Sequence, residues 1–440
     1  MISVENFYWI LFENLLDPVD IDAWYYWPYG TTENLSLGEF QRSKVGANGT
    51  NQVGARRFSG QIGSLPSYVL FHFDQEPLWT EKLGPGYDES CQVDLPRAWV
   101  NSRKNMKILA NSEHSLIKRK ICKSRGLSDW YFFYHGFAAL DWFGDSEFVD
   151  PVEPITKVYS SLNNLTTHKR SYRMALTARL AELGVLNFGD VSLHATVTDL
   201  KNEISDPCGS LSTRDKNLID RYLCNDCVLP LTADTKHTNG AFSAHFGPQE
   251  YRFWQRSFLH LVNETVFYDH KLHLTEKTFK PIVSLRPFVL VAAPGNLAYL
   301  RSYGFQTFSP WIDESYDSVE DPELRLDMIA TEVSKLCAKS MTELKKIHHD
   351  MLPVLTHNRQ HFFGQFREII VDELIQNFDT CFRLWNNGRV DGREMRCHPD
   401  LKLVKQMLLG HHMTESNSNH HDILSGLLHN RHHFFNHQTV

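Results

Sequence analysis

The residues best suited to chemistry follow an apolar run in the second half of the chain. Residues 258–262 are apolar except for His260 and lead directly into Asn263 and Glu264, and a further stretch ends in Thr275–Lys277. Such a run predicts a strand, and the Thr-Glu-Lys sequence predicts a helix start. A carboxylate there can accept both hydroxyls of a ribose, while the adjacent ammonium and the helix N-terminus can face a diphosphate. The segment therefore predicts a site for a sugar nucleotide.

This segment resembles the donor-binding motif of the α1,3-fucosyltransferases, in which an apolar strand ends in Glu-Asn and a Thr-Glu-Lys follows at similar spacing. It also resembles a group of phage-encoded glycosyltransferase-like proteins. The resemblance covers scattered motifs over residues 67–310. It implies a GT-B glycosyltransferase, an α/β fold with two Rossmann-like domains facing across a cleft. It further implies no metal and no cofactor, with a UDP- or GDP-linked sugar as co-substrate.

The resemblance also assigns roles within a donor site. Arg170 takes the place of the arginine that binds donor phosphate, which a guanidinium can do through two hydrogen bonds. Glu276 takes the ribose and Lys277 the phosphate. The alternatives are a solvated basic helix start around Arg170, and an ordinary N-cap at Thr275 with a charged first turn. The predicted donor-binding residues are Arg170, Arg256, Asn263, Glu264, Thr275, Glu276 and Lys277.

A general base is predicted after an earlier apolar run. Residues 69–73 lead into Asp74 and Glu76, and the resemblance gives Glu76 the place of the glutamate proposed as the base in fucosyltransferases. A half-buried carboxylate at a strand end has a raised pKa and can take a proton from a hydroxyl. Asp74 lies on the same face, so one acid can orient the other. The alternative is a turn that Asp74 stabilises before Pro77.

Further polar residues follow the next two apolar runs. Asn111 and Glu113 end one of them, and His135 forms a second candidate pair with Asp141 after the other. The predicted catalytic residues are therefore Glu76, Asp74 and His135. Asn111, Glu113 and Asp141 are predicted to line the acceptor side.

Repeated strand, polar loop and helix predict open parallel sheets, which bind ligands at the carboxyl ends of their strands. We predict a Rossmann-like acceptor domain over residues 1–150 and a nucleotide-sugar-binding domain over 151–350. Residues 351–440 are predicted to hold helices that cross back to the first domain and a His-rich tail. The predicted strands are 67–73, 107–110, 130–134, 157–162, 257–262, 288–293 and 305–308, and the predicted helices include 115–125, 170–183, 296–303, 322–346 and 357–386.

Composition restricts the function classes. A net charge of −7 has the wrong sign for a protein whose whole surface grips nucleic acid, although a local basic groove remains compatible with it. No apolar run reaches the ~18 residues that span a bilayer. The N-terminus lacks the basic region of a signal peptide, and eight scattered cysteines fit a reducing compartment. We therefore predict a cytoplasmic protein, in the host cytoplasm if it is viral, with no membrane span.

The acceptor stays open between a saccharide and a hydroxymethylated base in phage DNA. The DNA alternative would use Arg56, Arg57 and the run Lys118–Lys120 as phosphate contacts. Two other function classes compete with transfer. One is a non-catalytic GT-B module that holds a nucleotide or glycan, and the other is a metal-dependent nuclease built on Asp74, Glu76 and Glu113.

Two cysteine and histidine patterns have simpler interpretations. Cys224 and Cys227 have zinc-ligand spacing and would need Cys208 with His237 or His245 to complete a site. Buried or idle thiols are the default for such residues. The His-rich tail could bind metal, but its polar context favours a poorly ordered or partner-binding segment.

Overall fold

The structure is a computed structural model that covers the chain in several stretches. It describes residues 7, 10–16, 22–26, 35–36, 68–72, 77, 106–144, 154–207, 209–225, 229, 231, 233, 254–387 and 399–410. We refer to the described residues up to 144 as the first half and to residues 154–337 as the second half.

Two parallel sheets organise these residues. The strands are β1 (Asp22–Tyr26), β2 (Leu35–Ser36), β3 (Tyr68–His72), β4 (Met106–Asn111), β5 (His114–Ser115), β6 (Ser128–Tyr131), β7 (Lys157–Asn163), β8 (Gly189–Leu193), β9 (Ser257–Asn263), β10 (Lys271–Leu272) and β11 (Phe288–Val291). The first sheet has the order β2-β1-β3-β4-β6, and only β2 is antiparallel to its neighbour. The second has the order β11-β9-β7-β8 and is parallel throughout.

Helices connect and cover the strands. They are α1 (Leu116–Arg125), α2 (Tyr134–Trp142), α3 (Tyr172–Glu182), α4 (Val197–Ser205), α5 (Thr213–Leu218), α6 (Glu276–Val283), α7 (Asn296–Ser302), α8 (Pro322–Cys337), α9 (Met341–Phe363), α10 (Gln365–Asn387) and α11 (Leu401–Leu409). None of the helices in the described ranges is long and apolar enough to cross a membrane.

The central strand of the second sheet is buried along its whole length. All seven residues of β9 are buried, as expected for a parallel strand covered on both faces. Its one imidazole is satisfied within the core: His260 Nδ1 lies 2.6 Å from Ser160 Oγ, and its Nε2 lies 2.8 Å from the Trp254 carbonyl oxygen. At its last residue β9 presents the amide side chain of Asn263, which places a polar group at the carboxyl end of the strand.

Helix α10 packs into both halves. Phe366 and Ile370, at its start, belong to an apolar core formed mostly by the second half, whereas Leu374 and Phe378 belong to the core of the first. The Trp130 indole N–H donates to the Leu374 carbonyl over 3.3 Å, and the Asn377 amide donates to the Tyr131 carbonyl over 3.0 Å. This helix therefore fastens β6 to the second half.

The two halves also meet directly through a short antiparallel pair, in which β5 lies beside β10 with Leu272 opposite His114. We call the region around this pair the junction. It contains Glu113 and His135 from the first half, and Lys271, His273 and Glu276 from the second.

The predicted α/β class with parallel sheets is confirmed, whereas several boundaries differ. The predicted strand 130–134 ends at Tyr131, and α2 begins at Tyr134. Residues 305–308 form no strand, although all four are described; Phe305 and Phe308 are instead buried by packing against the core. The predicted helix 322–346 is divided where the Ser340 capping box starts α9, because that side chain accepts the Glu343 N–H.

Candidate functional site at the junction

The end of β9 is joined to the start of α6 by one buried carboxylate. Glu264 is fully buried, and its Oε1 accepts from the Thr275 backbone N–H over 3.0 Å and from the Thr278 hydroxyl over 2.6 Å. Its Oε2 accepts from the Thr275 hydroxyl over 2.6 Å. Because a helix leaves its first N–H groups without partners, an acid here stabilises the helix start. Glu264 therefore positions Thr275, and both of its carboxylate oxygens already accept hydrogen bonds from the protein.

A buried arginine holds the loop after β7 against the same strand end. The Arg173 guanidinium donates to the Asn263 carbonyl over 2.8 Å, to the Glu264 carbonyl over 3.1 Å and to the Leu165 carbonyl over 2.7 Å. The Tyr172 hydroxyl also donates to the Glu264 carbonyl. In the sequence Arg173 is one of several basic residues of a helix start. Its role depends on three carbonyls that only the fold brings together.

Glu276 and Lys277 form an adjacent acid and base at the first turn of α6. Glu276 Oε1 lies 3.2 Å from the Lys277 ammonium, and its Oε2 lies 3.3 Å from Nδ1 of His135. The Glu276 side chain is 5% exposed, whereas that of Lys277 is 35% exposed. The carboxylate is thus enclosed between the two halves, whereas the Lys277 side chain beside it is partly exposed.

The charge of Glu276 is fixed by its neighbours. Burial alone would raise the pKa of this carboxyl, but Lys277, His135 and Lys280 together hold the pKa well below its usual range. The group is therefore ionised at neutral pH, and as a carboxylate it can only accept hydrogen bonds. This suits a pair of ligand hydroxyls better than it suits proton donation.

His135 reaches Glu276 because α2 packs closely against α10. A β-carbon added at the neighbouring Gly136 would lie 3.0 Å from the Phe366 ring and 3.2 Å from Ile370. A larger side chain there would push α2 away from α10 unless those two side chains moved. Glycine at this position therefore allows α2 to approach α10 closely, which places His135 beside Glu276.

Basic side chains gather at the carboxyl ends of β7 and β9. Lys169 and Arg170 follow β7 in a short 3-10 turn, and Lys271 and Lys277 follow β9. Burial lowers the pKa of Lys169 to about 8, Asp269 opposes the change and Lys271 adds to it. A group of cations with a helix N-terminus is the usual chemistry of an anion site. The sequence reasoning identified Arg170 and Lys277 but not Lys169 or Lys271.

The turn that carries Lys169 and Arg170 begins at a strained residue. His168 has a φ of 55°, a left-handed conformation that residues other than glycine seldom adopt. Its backbone N–H donates over 2.9 Å to the buried carboxylate of Glu203, which holds the turn in place. Strained backbone of this kind concentrates at ligand sites, because the surrounding structure has to maintain it.

His273 is a junction residue that the sequence reasoning missed. It is almost fully buried, its backbone N–H donates to the Asn296 side chain over 3.1 Å, and its Nδ1 lies 3.3 Å from the Ser112 carbonyl oxygen. Its ring lies edge to face with that of His135, with the ring centres 5.3 Å apart. A lone histidine in a polar loop carries no signal in sequence, because its partners come from both halves.

The predicted acceptor-side residues have structural partners. Glu113 is fully buried, accepts a hydrogen bond from the Ser115 hydroxyl and lies 3.8 Å from the Lys271 ammonium. The Asn111 side chain accepts the Glu113 backbone N–H over 2.9 Å. Asp141 lies at the far end of α2 from His135. Because the Glu113 carboxylate already contacts Ser115 and Lys271, it is less suited to bind a metal ion in the nuclease alternative.

Lys118 differs from its predicted role as a DNA contact. It is fully buried, and its ammonium lies 2.6 Å from Asp129 and donates to the Asn111 carbonyl over 2.9 Å. Only Arg119 and Lys120 of that run are exposed. The ammonium of Lys118 is therefore directed into the first half, where it holds the end of β4.

The structure separates Arg256 from the other donor-site residues. Arg256 precedes the first residue of β9, at the opposite end from Asn263, and forms two bonds with Asp190, of 2.7 and 2.9 Å. Asn263 lies at the carboxyl end as expected; its amide donates to Ser161 Oγ over 3.1 Å. The fold thus brings together Asn263, Glu264, Thr275, Glu276 and Lys277, with Arg170 on the same edge.

Several predictions concern residues outside the described ranges. Asp74 and Glu76 lie there, although β3 ends just before them and Pro77 is buried. The same holds for Cys208, Cys227 and the His-rich tail, and Cys224 is described as a free thiol. Within the described ranges, no group of three or more acidic, histidine or cysteine side chains could hold a metal ion.

Comparisons with known proteins add no relative. No protein-family model matches the chain, and no curated protein or solved structure matches it either.

Proposed function

We propose that this chain is a glycosyltransferase of GT-B type that transfers a sugar from a UDP- or GDP-linked donor to a hydroxyl group. The observation that carries the proposal is the position of Glu276. Its carboxylate is buried at the junction between the two parallel-sheet halves, 3.3 Å from His135 and 3.2 Å from the partly exposed Lys277. An acid and base exposed to bulk solvent, remote from the other half, would not support a site between domains.

In this proposal the donor lies at the carboxyl ends of β7 and β9. Glu276 accepts the ribose hydroxyls, since it is ionised and its neighbours leave it no proton to give. Lys277, Lys169 and Arg170 face the diphosphate and stabilise the charge that develops as it leaves, which is the work that a metal does in other transferases. Activity is expected to survive chelation by EDTA, and its complete loss would argue for a metal mechanism.

The acceptor comes from the side of the first half, where β3 and β4 end. It is a saccharide hydroxyl or a hydroxymethylated base in DNA. The burial of Lys118 removes one of the phosphate contacts that the DNA alternative would use. Steep loss of binding to duplex DNA with rising salt would nevertheless favour DNA, because phosphate contacts release counterions.

The test is a thermal-shift panel of UDP-, GDP- and CMP-linked sugars, since a ligand that binds only the folded state raises its stability. We expect one class of sugar nucleotide to raise the melting temperature of the wild type and to raise that of Glu276→Gln much less. Glu182→Gln, at the exposed end of α3, is the control and should behave as the wild type. If no sugar nucleotide binds, the proposal fails. If one binds and is never hydrolysed or transferred, the non-catalytic alternative replaces it.

A further inference from the structure

One nitrogen at the junction is ready to accept a hydrogen bond and has none. His273 is 1% exposed, and none of the residues that the structure describes donates to its Nε2. Its Nδ1 lies 3.3 Å from the Ser112 carbonyl oxygen, which can only accept, so Nδ1 carries the proton. Nε2 then carries a lone pair, because a neutral imidazole has one donor and one acceptor nitrogen. A buried acceptor without a partner costs stability unless a ligand satisfies it.

The ring is held rigidly between the two halves. The Asn296 side chain accepts the His273 backbone N–H over 3.1 Å and itself donates to the Lys271 carbonyl over 3.0 Å. On the other side, the His135 ring lies edge to face with it. The orientation of Nε2 is therefore set before any ligand arrives, as a base that acts on a positioned hydroxyl requires.

Resting on the proposed function, we propose that Nε2 of His273 accepts the proton of the acceptor hydroxyl during transfer. The acceptor oxygen forms its bond to the anomeric carbon as the bond from that carbon to the diphosphate oxygen breaks. The electron pair leaves with the nucleoside diphosphate, and the hydroxyl proton moves to Nε2. The imidazolium that forms lies beside the His135–Glu276 pair, and it returns the proton to water after the product departs.

The surroundings of the ring explain why the donor would have to bind first. Burial above all, and then His135, hold the pKa of His273 well below its usual value, and Lys271 and Lys277 lower it further. The bond to the Ser112 carbonyl opposes this change. Among the charged groups around the ring, Lys271 is buried and paired with Glu113 and Asp269, Glu276 is the acid of the same turn as Lys277, and Lys277 is the cation that a bound diphosphate would neutralise. Donor binding would therefore make His273 more basic and prepare it for the acceptor.

His273→Asn is the most direct variant, because the asparagine amide can still donate to the Ser112 carbonyl in place of Nδ1 but offers no base at Nε2. His260→Asn is the matched control: His260 is equally buried, but its nitrogens face Ser160 and Trp254 within the core. The donor is the sugar nucleotide that gives the largest thermal shift with the wild type. Its binding and its transfer to the acceptor are measured separately, together with the pH dependence of kcat.

We expect His273→Asn to bind the donor within about 3-fold of the wild type and to lose about 10²–10⁴-fold in kcat. The acid limb of the wild-type kcat profile should be absent from the residual activity. His260→Asn should keep both properties. Glu76→Gln, which removes the base predicted from sequence, is measured in the same way as the competing assignment.

Retention of wild-type kcat by His273→Asn, or a loss confined to Glu76→Gln, would overturn the assignment while leaving the glycosyltransferase proposal intact. Absence of any donor binding or turnover by the wild type would refute both. The ¹⁵N chemical shift of His273 in the wild-type protein gives an answer that does not depend on a variant folding. An unprotonated Nε2 supports the assignment, and a proton on Nε2 in the donor-free protein contradicts it.

Discussion

Glu276 and His135 belong to different halves of the molecule, yet Oε2 of the acid lies 3.3 Å from Nδ1 of the imidazole. Both side chains are almost completely buried. Their contact depends on the β5–β10 pair and on the packing of α2 against α10, so it forms only when both halves are folded and joined. Binding of a ligand at Glu276 therefore depends on the relative position of the two halves.

Lys277→Met tests the anion site. The methionine keeps most of the aliphatic stem and removes the ammonium beside Glu276 from a side chain that is 35% exposed. We expect the Kd for a nucleoside diphosphate to rise about 10- to 100-fold, because a charge-assisted contact is lost. The remaining binding should also depend less on salt. Lys339→Met, at an exposed position after α8, is the control for a lost surface charge, and equal effects of the two variants would contradict the prediction.

Glu264→Gln tests the buried link between β9 and α6. An amide in place of the carboxylate directs N–H groups at the Thr275 or Thr278 donors that now contact Glu264 at 2.6 Å. We expect the free energy of unfolding to fall by about 2–4 kcal/mol, because buried donors lose a charged acceptor. Urea denaturation measures this change, with Glu182→Gln as the exposed control. A loss below about 1 kcal/mol would show that Glu264 does not hold the helix start.

The local motifs were largely readable from the sequence. The apolar run that becomes β9 predicts a buried parallel strand, and Thr275 with its charged neighbours predicts the start of α6. Glu264 was predicted to bind donor and instead accepts four hydrogen bonds from its own chain. A carboxylate looks the same in sequence whether it caps a helix or binds a ligand, because only the positions of nearby N–H and hydroxyl groups distinguish the two.

Contacts between distant segments could not be read in this way. His273 and Ser112 are far apart along the chain, and nothing in either local sequence indicates that they meet. Arg256 shows the opposite case. It was predicted to bind donor because it is close to β9 in sequence, but it lies at the amino end of that strand. The two ends of a strand lie a full strand length apart. A residue that is close to a strand in sequence can therefore lie at its amino end, far from the carboxyl edge of the sheet.

The affinity for an anion is expected to depend on pH through Lys169. Its pKa of about 8 means that it carries its charge at pH 7 and loses it as the pH rises toward 9. Bound phosphate would restore the charge by raising this pKa, so binding takes up a proton in that range. We expect the Kd of a nucleoside diphosphate to rise about 3- to 10-fold between pH 7 and about 9. Lys169→Met should bind weakly at both pH values, and a variant that keeps the wild-type pH dependence would rule Lys169 out.

The free energy of unfolding is also expected to depend on pH, through a network of side chains that connects the two halves. The Glu373 carboxyl on α10 accepts a hydrogen bond from the Tyr303 hydroxyl over 2.8 Å, and the Tyr303 hydroxyl lies 3.2 Å from that of Tyr131 and 3.1 Å from that of Tyr299. Tyr131 belongs to β6 and the other two tyrosines to α7 and the residue after it. The network therefore connects both halves to α10.

Burial raises the pKa of Glu373 from 4.5 to about 7, and the bond from Tyr303 opposes the change. Between those values the folded state binds more protons than the unfolded state. The contribution of Glu373 to stability is therefore complete below pH 4.5 and is lost as the pH rises toward 7. We expect a loss of roughly 1–3 kcal/mol from this group over that range.

Glu373→Gln should remove this loss, because glutamine can still accept from Tyr303 and does not ionise. The difference in unfolding free energy between Glu373→Gln and the wild type should be near zero at about pH 4.5 and should favour the variant by roughly 1–3 kcal/mol at pH 7. Glu368→Gln, on the exposed face of the same helix, should give a difference that does not change over this range. Urea denaturation at several pH values measures both differences. Parallel curves for Glu373→Gln and the wild type would show that Glu373 is ionised within the tyrosine network at neutral pH.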